Sequence, residues 1–366
     1  MAVSLERALN PSHTSTPFYL MNKQLYAAAV MFCGLLALNP NARPQGCVQS
    51  RGAGIGMILQ GEETYLKPGD WQATMGYRWL HSDRHFIGGE EQKQRQANGS
   101  EVINDSHFID LSATYGITPR LSATLTMPFV YSTRSSLYEH DGVNRHSMQA
   151  GGLADMRLST LVWIFDPKSC HNGNVAVGLG IKAPTGDYEA TDIAYRTNGP
   201  TLRYVDQSIQ PGDGGWGITL QIQGFQKIVK DLYGYVDASY LMNPKEKNPD
   251  PPISTGFSVP DSYLFRAGFT YAVWPSKGLA LSLGGRMEGV PVTDWIGGSE
   301  GSRRPGYSIS IEPGLIWTYH KWAATVTAPV AIERNRERSV SDIRTGRHGD
   351  AAFADFIITS SVSYRF

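Results

Sequence analysis

Counting back from Phe366, the residues Tyr364, Val362, Ile358 and Phe356 are apolar or aromatic, and Arg365, Ser363, Ser361 and Thr359 between them are polar. A side-chain period of two puts one set on each face of a β-strand, so this segment is a strand with one greasy and one wet face. Chain ends ordinarily fray, and a strand that runs to its last residue needs a sheet to hold it.

The same alternation recurs from Asp70 onward. Trp71, Ala73, Met75, Tyr77 and Trp79 alternate with Gln72, Thr74 and Arg78; Leu121, Ala123, Leu125, Met127 and Phe129 alternate with Ser122, Thr124 and Thr126. Tyr263, Phe265, Ala267, Phe269 and Tyr271 face away from Arg266 and Thr270. Counted along the chain, about twelve such strands follow one another. Their connections carry independent information. Thr118–Arg120, Asp166–Asn174, Lys230–Asp231, Pro275–Lys277 and Tyr319–Lys321 are short, whereas Ser82–Asn104, Ser132–Ala150, Pro184–Gly215, Asn243–Asp261, Gly289–Gly306 and Arg334–Asp350 are long and polar. Short and long alternate throughout, as periplasmic turns and external loops do in a bacterial outer-membrane barrel. A soluble sandwich has no reason for that alternation. The expected fold is therefore all-β: a transmembrane antiparallel up-and-down β-barrel of about twelve strands over residues 70–366.

Mean hydropathy is −0.28, which argues against a bundle of membrane helices but not against a barrel, whose spanning strands need only about 9–11 residues and alternate in polarity. The formal net charge is +0, so nothing favours nucleic acid as a partner. Aromatics near strand ends predict two interfacial girdles, one with Trp71, Tyr115, Tyr233, Tyr271, Trp274, Trp317, Trp322 and Phe366, the other with Trp79, Phe129, Trp216, Tyr240 and Tyr263.

Residues 1–46 read as an N-terminal extension and signal peptide, with Lys23 ahead of an apolar run from Leu25 to Leu38. Pro44 and Gln45 fit a lipobox poorly, which weighs against a lipid on Cys47. Residues 47–69 would form a periplasmic segment, with the glycine-rich stretch Arg51–Gly56 as a candidate plug.

The wet faces carry charges of both signs: Arg78, Asp110, Asp155, Arg157, Lys182, Asp237, Arg266, Arg286, Glu288, Glu312, Glu333, Asp355 and Arg365. Inside a barrel these need water or partners. They fit a conducting lumen and a lumen braced by ion pairs equally well. Catalysis is the weaker alternative. The histidines fall mostly in long loops, and the string Cys170-His171-Asn172-Gly173 lacks the serine that an outer-membrane lipase motif of that kind carries. No Ser or Asp is expected within hydrogen-bond reach of a loop histidine. His81 and His85 are a loop pair of the ordinary solvated kind, so no metal and no cofactor is expected.

Two stretches resemble a known family. Gly152-Leu153-Ala154-Asp155-Met156-Arg157-Leu158 is similar to a Gly-Leu-Gly-Asp strand opening, with Ala154 in place of a glycine. Gly178-Leu179-Gly180-Ile181-Lys182-Ala183-Pro184-Thr185-Gly186-Asp187-Tyr188 is similar to a Gly-hydrophobic-Lys-x-Pro-Thr-Gly-Asp segment. Together they resemble the outer-membrane barrels called meta-pathway phenol-degradation proteins, which implies uptake of small, aromatic or hydrophobic molecules. The terminal strand resembles the signal read by the barrel-assembly machinery, with Tyr364 and Phe366 in place and Ser361 where glycine is usual. The expected partners are outer-membrane lipids, that machinery and a small-molecule solute.

An even strand count places both chain ends on the periplasmic side. Cys47, ahead of the first strand, and Cys170, in a short turn, then share an oxidising compartment. A Cys47–Cys170 disulfide is the expected consequence: alkylation of the exported protein without reduction should label neither thiol, and labelling of both would refute the pairing.

Overall fold

Antiparallel pairing runs through fourteen strand segments that form twelve staves of one closed sheet. The computed structural model describes residues 65–250 and 253–366, so the signal, the glycine-rich stretch and Cys47 lie outside the described residues. The first half contributes β1 (Trp71–Ile87), β2 (Ile103–Gly116), β3 (Leu121–Ser136), β4 (His146–Leu153), β5 (Arg157–Trp163) and β6 (Gly173–Lys182). The middle adds β7 (Gly217–Val229), β8 (Leu232–Met242), β9 (Ser262–Trp274) and β10 (Leu279–Val290). Next come β11 (Gly306–Tyr319), β12 (Trp322–Thr327), β13 (Val330–Arg336) and β14 (Ala351–Arg365).

Two staves are broken. β4 and β5 lie end to end along β3, with Gly151 and Gly152 before the break and the Ala154 amide bonded to the Pro128 carbonyl at 2.8 Å. β12 and β13 lie end to end along β11, on either side of Ala328-Pro329. Proline has no N–H to give to a ladder, so the strand must be interrupted there.

The sheet closes between its first and last strands. β14 pairs with β1 from Gln72–Arg365 to Phe86–Ala351, and the Phe366 amide donates to the Trp71 carbonyl at 2.8 Å. Closure leaves no edge of unpaired N–H and C=O groups, which hydrocarbon could not satisfy.

The outward set is apolar. Leu111, Leu125, Leu179, Leu220, Leu283 and Val326 are all exposed in the isolated chain, where a water-soluble fold would bury them. Trp71, Tyr271, Trp274, Trp317, Trp322 and Phe366 are exposed at the short-turn end, and Trp216 and Phe129 at the other. Tyr240 belongs to the second rim but is covered, since Trp295 from a loop stacks on it with ring centroids 4.4 Å apart. Among the described residues no helix is long and apolar enough to cross a membrane. The chain is a bacterial outer-membrane β-barrel of twelve staves.

The long connections are folded rather than slack. Residues Thr191–Arg196 pair with Gly199–Tyr204, and Lys247–Asp250 pair with Ile253–Ser258, each as a hairpin beyond the barrel wall. A short helix, α1 (Val340–Thr345), begins with a capping box in which Ser339 and Asp342 satisfy each other's main-chain N–H.

Deleting Phe366 removes both the amide that closes the sheet and the aromatic end of β14. The deletion should lower the fraction of folded, heat-modifiable barrel on a gel while leaving solute uptake per folded molecule unchanged. Normal assembly would show that closure does not depend on this residue.

Candidate transport lumen

Because successive side chains alternate, closing the sheet sends every second one inward. The inner wall is built mostly of hydroxyls and amides. Thr74 meets Ser363 at 2.9 Å, Ser112 meets Thr126 at 2.9 Å, Thr114 meets Thr124 at 3.0 Å and Thr325 meets Ser361 at 2.7 Å. Each of these pairs joins neighbouring strands across one face of the sheet.

The charged residues collect into clusters. On the wall made by β8 to β11, Arg266 grips Glu312 with two bonds of 2.8 Å, while Arg286 reaches Glu288 at 2.8 Å and Glu312 at 3.5 Å. Asp237 lies 3.6 Å from Arg266, and Thr327 donates to Glu312 at 3.0 Å. Arg266, Arg286, Glu288 and Glu312 are all buried. A second cluster stands higher in the barrel. Lys182 is paired with Asp155 at 3.6 Å and with Asp213, a loop residue. Arg78 lies over the Phe108 ring at 4.1 Å, Asp110 lines the central cavity, and Arg365 bonds Gln72 and the Tyr65 carbonyl at 3.4 Å near the short-turn end.

Two expected lumen residues are placed elsewhere. Glu333 is exposed and accepts from Tyr307 on the outer face, because a bulge at Ile332 shifts the register and puts Glu333 opposite the outward Ile309. Asp355 belongs to the outer rim, its side chain 47% exposed between Arg84 and Arg334 at 2.6 Å each. Register shifts between Leu80 and Arg84 take it out of the alternation. Tyr233, expected in a lipid-facing girdle, instead packs inward.

Among the described residues, two cavities lie inside the barrel. The larger, about 300 Å³, spans the barrel between Gln72, Ser112 and Thr124 on one side and Gln223, Arg266 and Thr327 on the other. The smaller, about 150 Å³, lies toward the long loops and is roofed by residues Gln207, Ser208 and Gln210 to Asp213. Arg157, Thr219 and Gln221 line both, so they form the waist between them.

The two sequence motifs meet at this waist. The Gly186 amide donates to Asp155 at 3.0 Å, the Asp213 amide donates to the same carboxylate at 3.2 Å, and the Thr185 hydroxyl donates to the Ala154 carbonyl at 2.9 Å. Gly186 and Gly212 lie backbone against backbone, and a Cβ on either would collide with the other. The roof is held further out by Asp206. Burial opposes ionisation of its carboxyl, but Arg134 at 3.6 Å and Arg304 at 2.7 Å hold it well below the usual carboxylate range.

The short-turn end is packed. Tyr65 stacks edge-on to Trp163 with centroids 5.0 Å apart and lies near Phe225, and its hydroxyl donates to the Cys170 carbonyl at 2.7 Å. Neither Trp163 nor Phe225 was identified from the sequence, although both are apolar residues on the wet parity of their strands, alongside Ser159 and Gln223. Tyr65 gave no such signal.

Loop histidines do find carboxylates, contrary to expectation. His85 bonds Asp350 at 2.9 Å through Nδ1 and accepts the Val102 amide at 2.7 Å through Nε2. Both ring nitrogens are thereby occupied, leaving none to activate a nucleophile. His81 and His107 share Asp105 at 3.1 and 3.0 Å. Among the described residues no group of three His, Cys, Asp or Glu side chains could hold a metal ion.

The closed sheet and the cavities inside it together define an outer-membrane β-barrel. No family model matches the chain, and no curated protein matches it. Its fold is similar to that of an outer-membrane channel from Pseudomonas putida F1, at TM-score 0.56 and 14% identity over 87% of this chain and 100% of that one. Weaker likenesses include the P. putida toluene transporter TodX, at TM-score 0.40 and 10% identity over 86% and 94% of the two chains. The β domain of the Bordetella autotransporter BrkA scores 0.43 at 11% identity, over 82% and 100%. A transporter and an autotransporter thus score alike, and likeness at that level does not separate functions.

Glu312 should be the most costly single charge to remove. Glu312→Ala leaves Arg266 and Arg286 buried without their shared carboxylate and should destabilise the barrel by about 3–5 kcal/mol, read as a lower unfolding temperature, whereas Glu312→Gln should cost less. A second expectation concerns Asp261, whose carboxyl is pushed up to about 6 by burial despite bonds from the Asn243 and Trp295 amides and the Tyr240 hydroxyl. The folded state binds its proton more tightly than the unfolded chain does. Its contribution is complete below about pH 4 and lost as pH rises through 6. Wild type should therefore lose at most about 3 kcal/mol relative to Asp261→Asn between pH 4 and 7, and a pH-independent difference would refute this.

Proposed function

We propose that this protein is an outer-membrane channel that passes small molecules along the barrel axis. The observation that carries the reading is the pair of cavities inside the barrel, which share Arg157, Thr219 and Gln221 in their linings. A barrel serving only as a brace would fill its centre with interlocked side chains. Here the larger charge network is drawn against one wall, and the opposite wall presents short hydroxyl side chains that leave room. The path is narrow at both ends, beneath the Gln207–Asp213 roof and above the Tyr65–Trp163–Phe225 packing. Passage therefore depends on movement of at least one of these. A hydrophobic or aromatic cargo, which the motif resemblance implies, is supported by that aromatic packing and by Leu121, Leu161 and Tyr235 on the wall of the larger cavity.

Purified protein should add discrete conductance steps to a planar bilayer and should admit small solutes into liposomes. Tyr65→Ala, which opens the short-turn end, should raise the conductance severalfold. Absence of both conductance and uptake, in wild type and in the variant, would overturn the channel reading.

A further inference from the structure

The chemistry of the waist and the cavity wall carries the channel reading further, to the class of solute. We propose that the lumen selects small uncharged molecules bearing several hydroxyl or amide groups, such as a short polyol or a pentose.

Three observations converge on this, and all of them presuppose that the lumen is a path. The first is the unused hydrogen-bonding capacity. The Thr219 hydroxyl is buried at the waist, with its residue 5% exposed, and has no hydrogen-bond partner among the described residues; the hydroxyl of the half-buried Thr359 on the cavity wall also has none among them. A buried hydroxyl left unpaired is destabilising, and a passing solute with donors and acceptors relieves it. The paired hydroxyls described above add to this, because each retains a free lone pair after bonding its neighbour.

The second observation is the charge balance at the waist. Asp155 and Asp213 set two negative charges against the two positive charges of Arg157 and Lys182. An ion of either sign therefore gains no net attraction there and would lose hydration on entering.

The third is size. At about 30 Å³ per water, the larger cavity holds roughly ten waters, which is room for one small solute. A hydrocarbon of that size would fit, but it would give Thr219 and Thr359 no partner and leave the remaining lone pairs of the paired hydroxyls unused. Sites built for hydrogen bonding reject apolar isosteres for this reason.

Liposome swelling with the purified full-length protein tests the proposal, using isosmotic erythritol and xylose against benzoate and gluconate. Erythritol and xylose should enter at least tenfold faster than into protein-free liposomes, and benzoate and gluconate within about twofold of that control. Thr219→Val, nearly isosteric, should slow xylose entry about fivefold, while Thr219→Ser should restore it. Heat-modifiability on a gel confirms that both variants fold. Faster entry of benzoate than of xylose would overturn the proposal in favour of an aromatic acid, and faster entry of gluconate would overturn it in favour of anions. An unchanged xylose rate in folded Thr219→Val would overturn the role of the waist. Entry of none of the four solutes would instead defeat the channel reading itself.

Discussion

An unpaired peptide group costs several kcal/mol in hydrocarbon, and that cost organises this molecule. The register from Gln72–Arg365 to Phe86–Ala351 and the Phe366–Trp71 bond join the two edges the sheet would otherwise have. The two broken staves respect the same constraint. At Pro329, which has no N–H, the carbonyl still accepts the Ile357 amide at 3.0 Å, so the interruption leaves no orphan acceptor. Where the β4–β5 stave breaks, the Ala154 amide finds Pro128 and the Met156 amide finds the Thr185 hydroxyl at 2.8 Å.

Closure has an electrostatic consequence. The alternation that exposes Leu111 and Leu283 to lipid necessarily turns Asp110 and Arg286 inward, into a region of low dielectric and limited water. Free charges there would be costly, and the clusters show the response: Glu312 is shared by two arginines, and Lys182 by two aspartates. Each cluster sets acids against bases on its own side of the lumen rather than across it. The hydroxyl wall can consequently remain open, because no counter-charge has to reach across to balance the Arg266–Glu312 side.

The parts of the fold set by period and by loop length were legible in the sequence. Period two assigns a face to each residue as long as the register is unbroken, and it correctly separates Arg266 from Phe265 and Glu312 from Ile311. It fails after a bulge, which is why Glu333 was assigned to the inner face and why Asp355, expected in the lumen, stands at the rim between Arg84 and Arg334. It also says nothing about contacts between residues distant in sequence. Tyr65 reaches Cys170 over a separation of 105 residues, and the Gln207–Asp213 roof reaches Asp155 and Lys182, with no local pattern to announce either. Trp163 and Phe225 were the exception: an aromatic on a wet parity is a signal that something packs inside.

The two motifs that suggest a family acquire a physical meaning from their meeting point. Asp155 accepts from the amides of Gly186 and Asp213, Thr185 braces the break after β4, and Gly186 admits Gly212 at a distance only two glycines permit. None of these contacts recognises a solute. Their combined effect is to hold a loop over the inner wall beside Lys182, which fixes where the path narrows. The motifs therefore report how the barrel holds this loop, whereas under the channel proposal discrimination falls to the side chains that line the cavities, Thr219 and Gln221 among them.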